Sequence, residues 1–188
     1  MNQVELKIKG MSSTTFPTEG YALVLEEVNG TRKLPVLIGA YEAHSIKMVM
    51  TRYQASRPLT HDLFVSLSHR VGVPLKKVFI YQVKDGIYYS YLIFEKEGEE
   101  FQIDSRTSDA VALALRYHCP IYTTEEILND EQLHEVGEDA FSVPANLVNM
   151  SMLKEALKNA IENEDYEHAS QLRDEIKRRE SREDSTSK

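Results

Sequence analysis

Apolar and polar residues alternate along the first part of the chain, and this alternation predicts strands. Val4, Leu6 and Ile8 are separated by polar residues, which is typical of a strand with one buried face. Phe101 and Ile103 alternate with polar residues in the same way. We therefore predict a first strand near Val4 and a further strand over residues 100–105.

Two pairs of strand-like segments each surround a dipeptide that favours a tight turn. The first pair, 21–28 and 32–38, is separated by Asn-Gly, and the second pair, 77–83 and 87–96, by Asp-Gly. These dipeptides readily take the positive φ angles of a two-residue type I′ turn. We predict two β-hairpins, with a type I′ turn in the first.

A helical repeat follows each hairpin region. Residues 41–53 have Ile46, Val49, Met50 and Tyr53 spaced as one face of a helix. Glu42 falls in the first turn of this helix, where its charge complements the helix dipole. That structural use competes with any role as a ligand.

The segment after Pro58 predicts a second helix. Thr60 is a suitable N-cap and Gly72 a suitable C-terminal stop. His61 and Asp62 fall in its first turn, as a surface pair or as groups that orient a water or meet a phosphate. One apolar stripe runs along the helix: Leu63, Phe64, Leu67 and Val71.

The third helix, 110–117, is nearly all apolar, so we expect it to be buried on most sides. Ser108 is its predicted N-cap, Asp109 complements its dipole, and Pro120 stops it. Each half of this region runs hairpin, strand and helix, and an acidic residue followed by alanine opens both the first and third helices. The expected fold class is α+β: an antiparallel sheet with packed helices and an internal duplication of the hairpin-strand-helix unit.

The acidic composition counts against a tight, non-specific nucleic-acid binder. The 188 residues carry a net charge of −8, so the chain lacks the general attraction for phosphate that drives non-specific nucleic-acid binding. The single cysteine, Cys119, cannot form an internal disulfide, which fits a reducing compartment. We find neither a signal peptide nor a membrane-spanning run. The expected location is cytoplasmic, without membrane contact.

Polar residues collect where the strand 100–105 meets the third helix. Asp104, Arg106, Ser108 and Asp109 lie at this corner, which can hold carboxylates for a metal ion or a water, with amide N–H groups nearby for an anion. A structural interpretation is also open. Ser108 and Asp109 are then only a cap, and Asp104 with Arg106 only an ion pair.

Three motifs in this chain resemble the bifunctional nuclease (BFN) family. They are LPVLIGAYEA at 34–43, RPLTHDL at 57–63 and IDSRTSDAVALALR at 103–116, in the family's order. The resemblance covers residues 1–133 and implies a nuclease that cleaves RNA and DNA. It also implies a candidate site made from Glu42, His61, Asp62, Asp104, Arg106, Ser108 and Asp109.

We expect divalent-metal assistance, by Mg²⁺ or Mn²⁺, at that site. Glu42, Asp104 and Asp109 are the predicted ligands, His61 or Asp62 orients a water, and Arg106 stabilises phosphate charge. If the duplication holds, Glu42 and Asp109 occupy matching corners. They must lie within about 12 Å of each other to share an ion, because metal–oxygen bonds are about 2.0–2.6 Å long.

The C-terminal part is different in kind. We predict a linker over 134–150, a helical hairpin over 151–180 and a disordered tail over 181–188. The seam of the hairpin is expected from two stripes: Leu153, Leu157, Ala160 and Ile161, then Tyr166, Ala169, Leu172 and Ile176. Such a small pair must dock on the first domain or on another chain to be stable.

EDYEHASQLRDEI at 164–176 resembles the UVR motif of the nucleotide-excision-repair B and C subunits and of some Clp-type chaperones. The resemblance implies a protein partner bound through 151–180. An alternative function follows: a non-catalytic scaffold that recruits a repair or proteolysis partner. Exposed sheet edges and a docking hairpin also favour a homo-oligomer.

Overall fold

The computed structural model describes residues 3–14, 20–84, 86–131 and 150–186. Seven strands and six helices lie in these ranges, and the expected α+β class is confirmed. The elements are β1 (Gln3–Thr14), β2 (Gly20–Glu27), β3 (Lys33–Ile38), α1 (Ala40–Met50), α2 (Thr60–Arg70), β4 (Leu75–Lys84), β5 (Ile87–Lys96), β6 (Glu99–Arg106), α3 (Thr107–Tyr117), β7 (Ile121–Thr124), α4 (Glu125–Glu131), α5 (Met150–Glu162) and α6 (Tyr166–Thr186).

The strands form one sheet in the order β3-β2-β1-β7-β4-β5-β6. Two three-stranded meanders flank β7, and each is followed by a helix, α1 or α3. This arrangement repeats the hairpin-strand-helix unit. The sheet is mixed, however, where we expected it to be antiparallel. After α3 the chain returns to the middle of the sheet, and there β7 runs parallel to β4 and antiparallel to β1.

The main core lies between one face of the sheet and helices α1, α3 and α4. Leu23, Ile46, Val78, Val111 and Leu128 are among its fully buried side chains. The apolar third helix is buried on most sides, as its sequence predicts. In the first helix the prediction was partly wrong, because Met50 and Tyr53 are exposed.

The first hairpin is confirmed, but its predicted turn type is wrong. Neither Asn29 nor Gly30 is among the described residues with positive φ. The loop is wider than two residues, because the backbone N–H of Glu27 donates to the carbonyl of Arg32 at 3.0 Å. Two hydrogen bonds from the Arg32 guanidinium to the Glu27 carboxylate, at 2.8 and 2.9 Å, hold this wider loop.

The second hairpin is confirmed, with positive φ at Gly86. The start of the third helix differs from the prediction. Strand β6 passes directly into α3, and the N-cap position is Arg106 instead of Ser108. Thr107 is the first helical residue, and its hydroxyl lies 2.6 Å from that of Ser90 on β5, which ties the helix start to the sheet.

Helices α5 and α6 form a packed pair. Their shared core contains Leu153, Ala160, Ala169, Leu172 and Ile176, and Leu37 of β3 packs against it. Since Leu34, Val36 and Ile38 belong to the main core and strand side chains alternate between faces, the pair lies on the opposite face of the sheet.

Two predicted seam residues, Ile161 and Tyr166, are exposed. In α5 the seam follows positions 153, 156 and 160, so the next residue, Ile161, turns outward. Helix α6 continues to Thr186, so residues 181–186 are helical where we expected a disordered tail. The predicted linker lies outside the described residues except for Met150. No helix in the described ranges is both long and apolar enough to cross a membrane.

Candidate functional site

The first turns of α1 and α3 meet at Arg106. Its Nη1 donates to Glu42 Oε1 at 3.0 Å, and its Nε donates to Asp109 Oδ2 at 2.8 Å. Glu42 is the third residue of α1 and Asp109 the third residue of α3, so the two carboxylates occupy matching positions of the repeated unit. Both carboxylates contact one guanidinium, so they lie well within the separation of about 12 Å that sharing an ion would require.

His61, in the first turn of α2, completes this group. Its Nε2 lies 3.2 Å from Asp109 Oδ1, and its Nδ1 lies 3.0 Å from the hydroxyl of Ser45 on α1. A carboxylate beside one ring nitrogen favours the proton on that nitrogen and leaves the other as an acceptor. We call these five residues, Glu42, Ser45, His61, Arg106 and Asp109, the Arg106 cluster.

Arg106 is the exposed member of the cluster. Its side chain is 68% exposed, whereas those of Glu42 and Asp109 are largely covered. The hydrogen bond with Asp109, helped by the charge of Glu42, raises the pKa of Arg106 above its ordinary value. The cluster therefore presents a permanent cation to solvent. Two carboxylates contact this cation, and one of them also orients the imidazole of His61.

Asp62 points away from the Arg106 cluster. Its Oδ1 accepts from Nε of Arg116 at 2.7 Å, and its Oδ2 accepts from the backbone N–H of Leu59 at 2.9 Å. The bond with Arg116 is the main cause that lowers the pKa of Asp62. Asp62 and Arg116 also line a separate cleft of about 340 Å³. Asp62 thus caps the start of α2 and anchors it to α3.

Asp104 and Ser108 are separate from the cluster as well. The Tyr81 hydroxyl donates to Asp104 Oδ1 at 3.1 Å, and the Tyr81 ring stacks on Tyr91 with centroids 3.9 Å apart. Because Phe101 stacks on core residue Phe94, alternation along β6 places Asp104 on the other face of the sheet. Ser108 is buried within the first turn of α3.

The predicted three-carboxylate metal site is not assembled. Arg106 contacts Glu42 and Asp109, and Asp104 contacts Tyr81 instead. Within the described part of the chain, no group of three or more His, Cys, Asp and Glu side chains is placed to hold a metal ion.

Ser45 and Arg116 are not among the site residues predicted from the sequence. Ser45 follows Glu42 by three residues on the same helix, a spacing that places both on one side. Arg116 is a charged residue at the end of an otherwise apolar helix, and its side chain is only 8% exposed. Cys119 is not part of the site, and burial raises the pKa of its thiol to about 11.

Comparison with known proteins identifies two regions. The bifunctional nuclease domain matches residues 23–135, and the UvrB/uvrC motif matches residues 151–181. An uncharacterised protein of Mycobacterium tuberculosis, Rv1829, is 40% identical over 112 residues, which are 60% of this chain and 66% of that protein. Both sequence resemblances are confirmed.

Plant relatives are more distant. Bifunctional nuclease 1 of Arabidopsis thaliana is 24% identical over 128 residues, which are 66% of this chain and 39% of the plant protein. Bifunctional nuclease 1 of Oryza sativa subsp. indica is 25% identical over 120 residues, or 62% of this chain and 36% of the plant protein. This chain thus spans less than two thirds of the length of these relatives. The match over residues 23–135 covers more than half of the chain, which belongs to the bifunctional nuclease domain family.

Proposed function

We propose that this protein is a nuclease that hydrolyses phosphodiester bonds of RNA or DNA at the Arg106 cluster. One observation carries the proposal: an exposed guanidinium, Arg106, and an imidazole, His61, contact the two oxygens of one carboxylate, Asp109. The family membership and the plant nucleases among the relatives support the choice of substrate.

The cluster supplies two parts of phosphodiester chemistry. Arg106 donates hydrogen bonds to the non-bridging phosphate oxygens, where negative charge builds up in the transition state. Nδ1 of His61 accepts a proton from the attacking water, which takes the place of the Ser45 hydroxyl, while Asp109 stabilises the resulting imidazolium. As the water oxygen forms its bond to phosphorus, the bond from phosphorus to the leaving sugar oxygen breaks, and that oxygen takes a proton from solvent. The chain carries a net charge of −8, so it does not attract a nucleic acid by its overall charge. The guanidinium of Arg106 provides a local positive charge that attracts the phosphate.

We also propose that a divalent metal ion assists the reaction, with two carboxylates as its ligands in place of the three predicted from the sequence. Glu42 and Asp109 would hold one Mg²⁺ or Mn²⁺ that arrives with the substrate, and such an ion stabilises charge on the phosphate oxygens. Asp104 is left out of this set because it lies with Tyr81.

The test compares two isosteric variants, Asp109→Asn and Asp104→Asn. Cleavage of single-stranded RNA and DNA is measured with Mg²⁺, Mn²⁺ or EDTA. We expect Asp109→Asn to lower the rate by about 100-fold or more, the usual size of a lost acid–base contribution. Asp104→Asn is the matched control and should retain activity within a few fold.

The control also guards against a contaminating nuclease, because the two variants are purified in the same way. Equal activity in both variants would contradict the proposal, as would no cleavage by the wild-type protein under any of the three conditions. Unequal melting temperatures would be corrected by working well below both transitions.

A second candidate function is a scaffold that binds a protein partner through the helical hairpin. The UvrB/uvrC motif match at 151–181 favours it, and Ile161 and Tyr166 on the outer side of the hairpin are exposed for contact. An inactive wild-type protein whose partner binding is lost in an Ile161→Lys/Tyr166→Lys variant would support the scaffold.

A further inference from the structure

The apolar stripe of α2 faces outward. Leu63, Leu67 and Val71 are 58%, 64% and 57% exposed, although their spacing is typical of a buried face. Only Phe64 turns partly toward the core, where its ring lies 6.1 Å from that of Phe94. Apolar residues concentrated on one helix face are uncommon on a monomer surface and mark interaction sites.

Strand β6 continues this apolar surface. It is the last strand in the sheet order, so its outer edge has no partner among the described residues. Phe101 is exposed, and its ring is 5.7 Å from Phe94, which joins it to Phe64 on α2. Ile103 is exposed on the same side of the strand. We call Leu63, Phe64, Leu67, Val71, Phe101 and Ile103 the α2–β6 surface.

We propose that the α2–β6 surface binds a second copy of this chain, with the two β6 strands paired antiparallel about a two-fold axis at Ile103. In such a pair, residues that lie on one face of the first strand meet residues on the same face of the second. Both α2 stripes therefore lie on one side of the joined sheet. The two apolar surfaces become continuous, which a self-complementary interface requires.

The charges along β6 favour this register over the one with its axis at Gln102. With Ile103 at the axis, Gln102 lies opposite Asp104 of the partner subunit, and Glu100 lies opposite Arg106 of the partner subunit. With Gln102 at the axis instead, Glu100 would face Asp104 of the partner subunit, and like charges directly opposite each other destabilise a strand pair. The pairing also places Glu100 of the partner subunit at the rim of the Arg106 cluster. The dimer does not depend on the proposed nuclease activity.

The first test measures the mass of the full-length protein by sedimentation over a range of micromolar concentrations. We expect twice the mass of one chain. A Leu63→Lys/Leu67→Lys variant should be monomeric and should keep the wild-type circular dichroism spectrum, because both side chains are exposed in the single chain. Ile161→Lys is the matched control, since Ile161 is an exposed apolar residue of the hairpin, and it should remain dimeric.

The second test fixes the register by cross-linking. In a Cys119→Ser background, Ile103→Cys should form an intermolecular disulfide on mild oxidation, because the two residues face each other across the axis. Gln102→Cys should not. A monomeric wild type, a dimer that survives Leu63→Lys/Leu67→Lys, or cross-linking at position 102 in place of 103 would overturn the proposal.

Discussion

At the scale of single residues, the two neighbouring polar residues at the start of α2 belong to different groups of contacts, each of which contains one arginine. His61 and Asp62 are neighbours, yet His61 contacts Asp109 beside Arg106, whereas Asp62 contacts Arg116. Arg106 is exposed and Arg116 is nearly buried. The exposed arginine suits substrate binding, and the buried one holds the helix start against α3.

The Asp62–Arg116 pair should make the free energy of unfolding depend on pH in the acidic range. Arg116 lowers the folded-state pKa of Asp62 below the ordinary value of 3.8. The stabilisation is therefore fully present above about pH 3.8 and is lost as pH falls through the lowered folded-state pKa. We expect Asp62→Asn to be less stable than wild type at pH 7, with a difference that shrinks in acid.

Urea unfolding at several pH values measures this difference. An Arg116→Gln background is the control, because Asp62→Asn should lose its pH-dependent effect there. Equal unfolding free energies of Asp62→Asn and wild type at neutral pH would count against the pair as a source of stability.

At the scale of elements, the ends of α2 show how the sequence fixes a helix. The carboxylate of Asp62 accepts from the backbone N–H of Leu59 at one end. At the other end, the carbonyl of His69 accepts from the N–H of Gly72, whose φ is +70°. A left-handed residue after the last turn is the usual stop for a helix.

Gly72→Ala should destabilise the fold by about 1 kcal/mol, because a side chain disfavours positive φ. Among the described residues, no atom beyond those of the adjoining residues lies within 4 Å of a Cβ added at Gly72, so the cost is conformational. Gly10→Ala is a matched control: that site is equally open but has no positive φ. Thermal unfolding of both variants checks the prediction, and equal destabilisation of the two would contradict it.

At the scale of the whole molecule, the sheet separates two layers. The Arg106 cluster lies with α1, α2 and α3, while the helical hairpin packs on the opposite face through Leu37 of β3. A partner on the hairpin therefore does not cover the candidate site. The order of strands, with β7 between two similar meanders, brings α1 and α3 together at Arg106.

Leu37→Asp should release the hairpin from the sheet, since it places a charge in the apolar contact with α5 and α6. We expect faster hydrogen exchange of the amides of α5 and α6, with little change in the main core. Thr31→Asp, at an exposed loop position, controls for the added charge. Unchanged exchange in the hairpin would show that Leu37 does not hold it.

The sequence by itself determined six of the seven described strands, the two hairpins, helices α1, α2 and α3 and the C-terminal helical pair, because periodicity and turn residues act over a few neighbouring positions. It did not predict β7, the short strand between the two meanders. It also placed Glu42 and Asp109 at matching helix starts. Residues 103–116 show the limit of such local reasoning, since Asp104 and Asp109 are close in the chain but point to different surroundings.

Only the tertiary structure decided which of these residues meet. Glu42 and Arg106, or His61 and Asp109, come together because α1, α2 and α3 pack on one sheet face, and packing over such chain separations depends on the whole core. The same packing left the stripe of Leu63, Leu67 and Val71 outside. A helical repeat fixes which residues share a face, but the positions of neighbouring elements decide whether that face is covered.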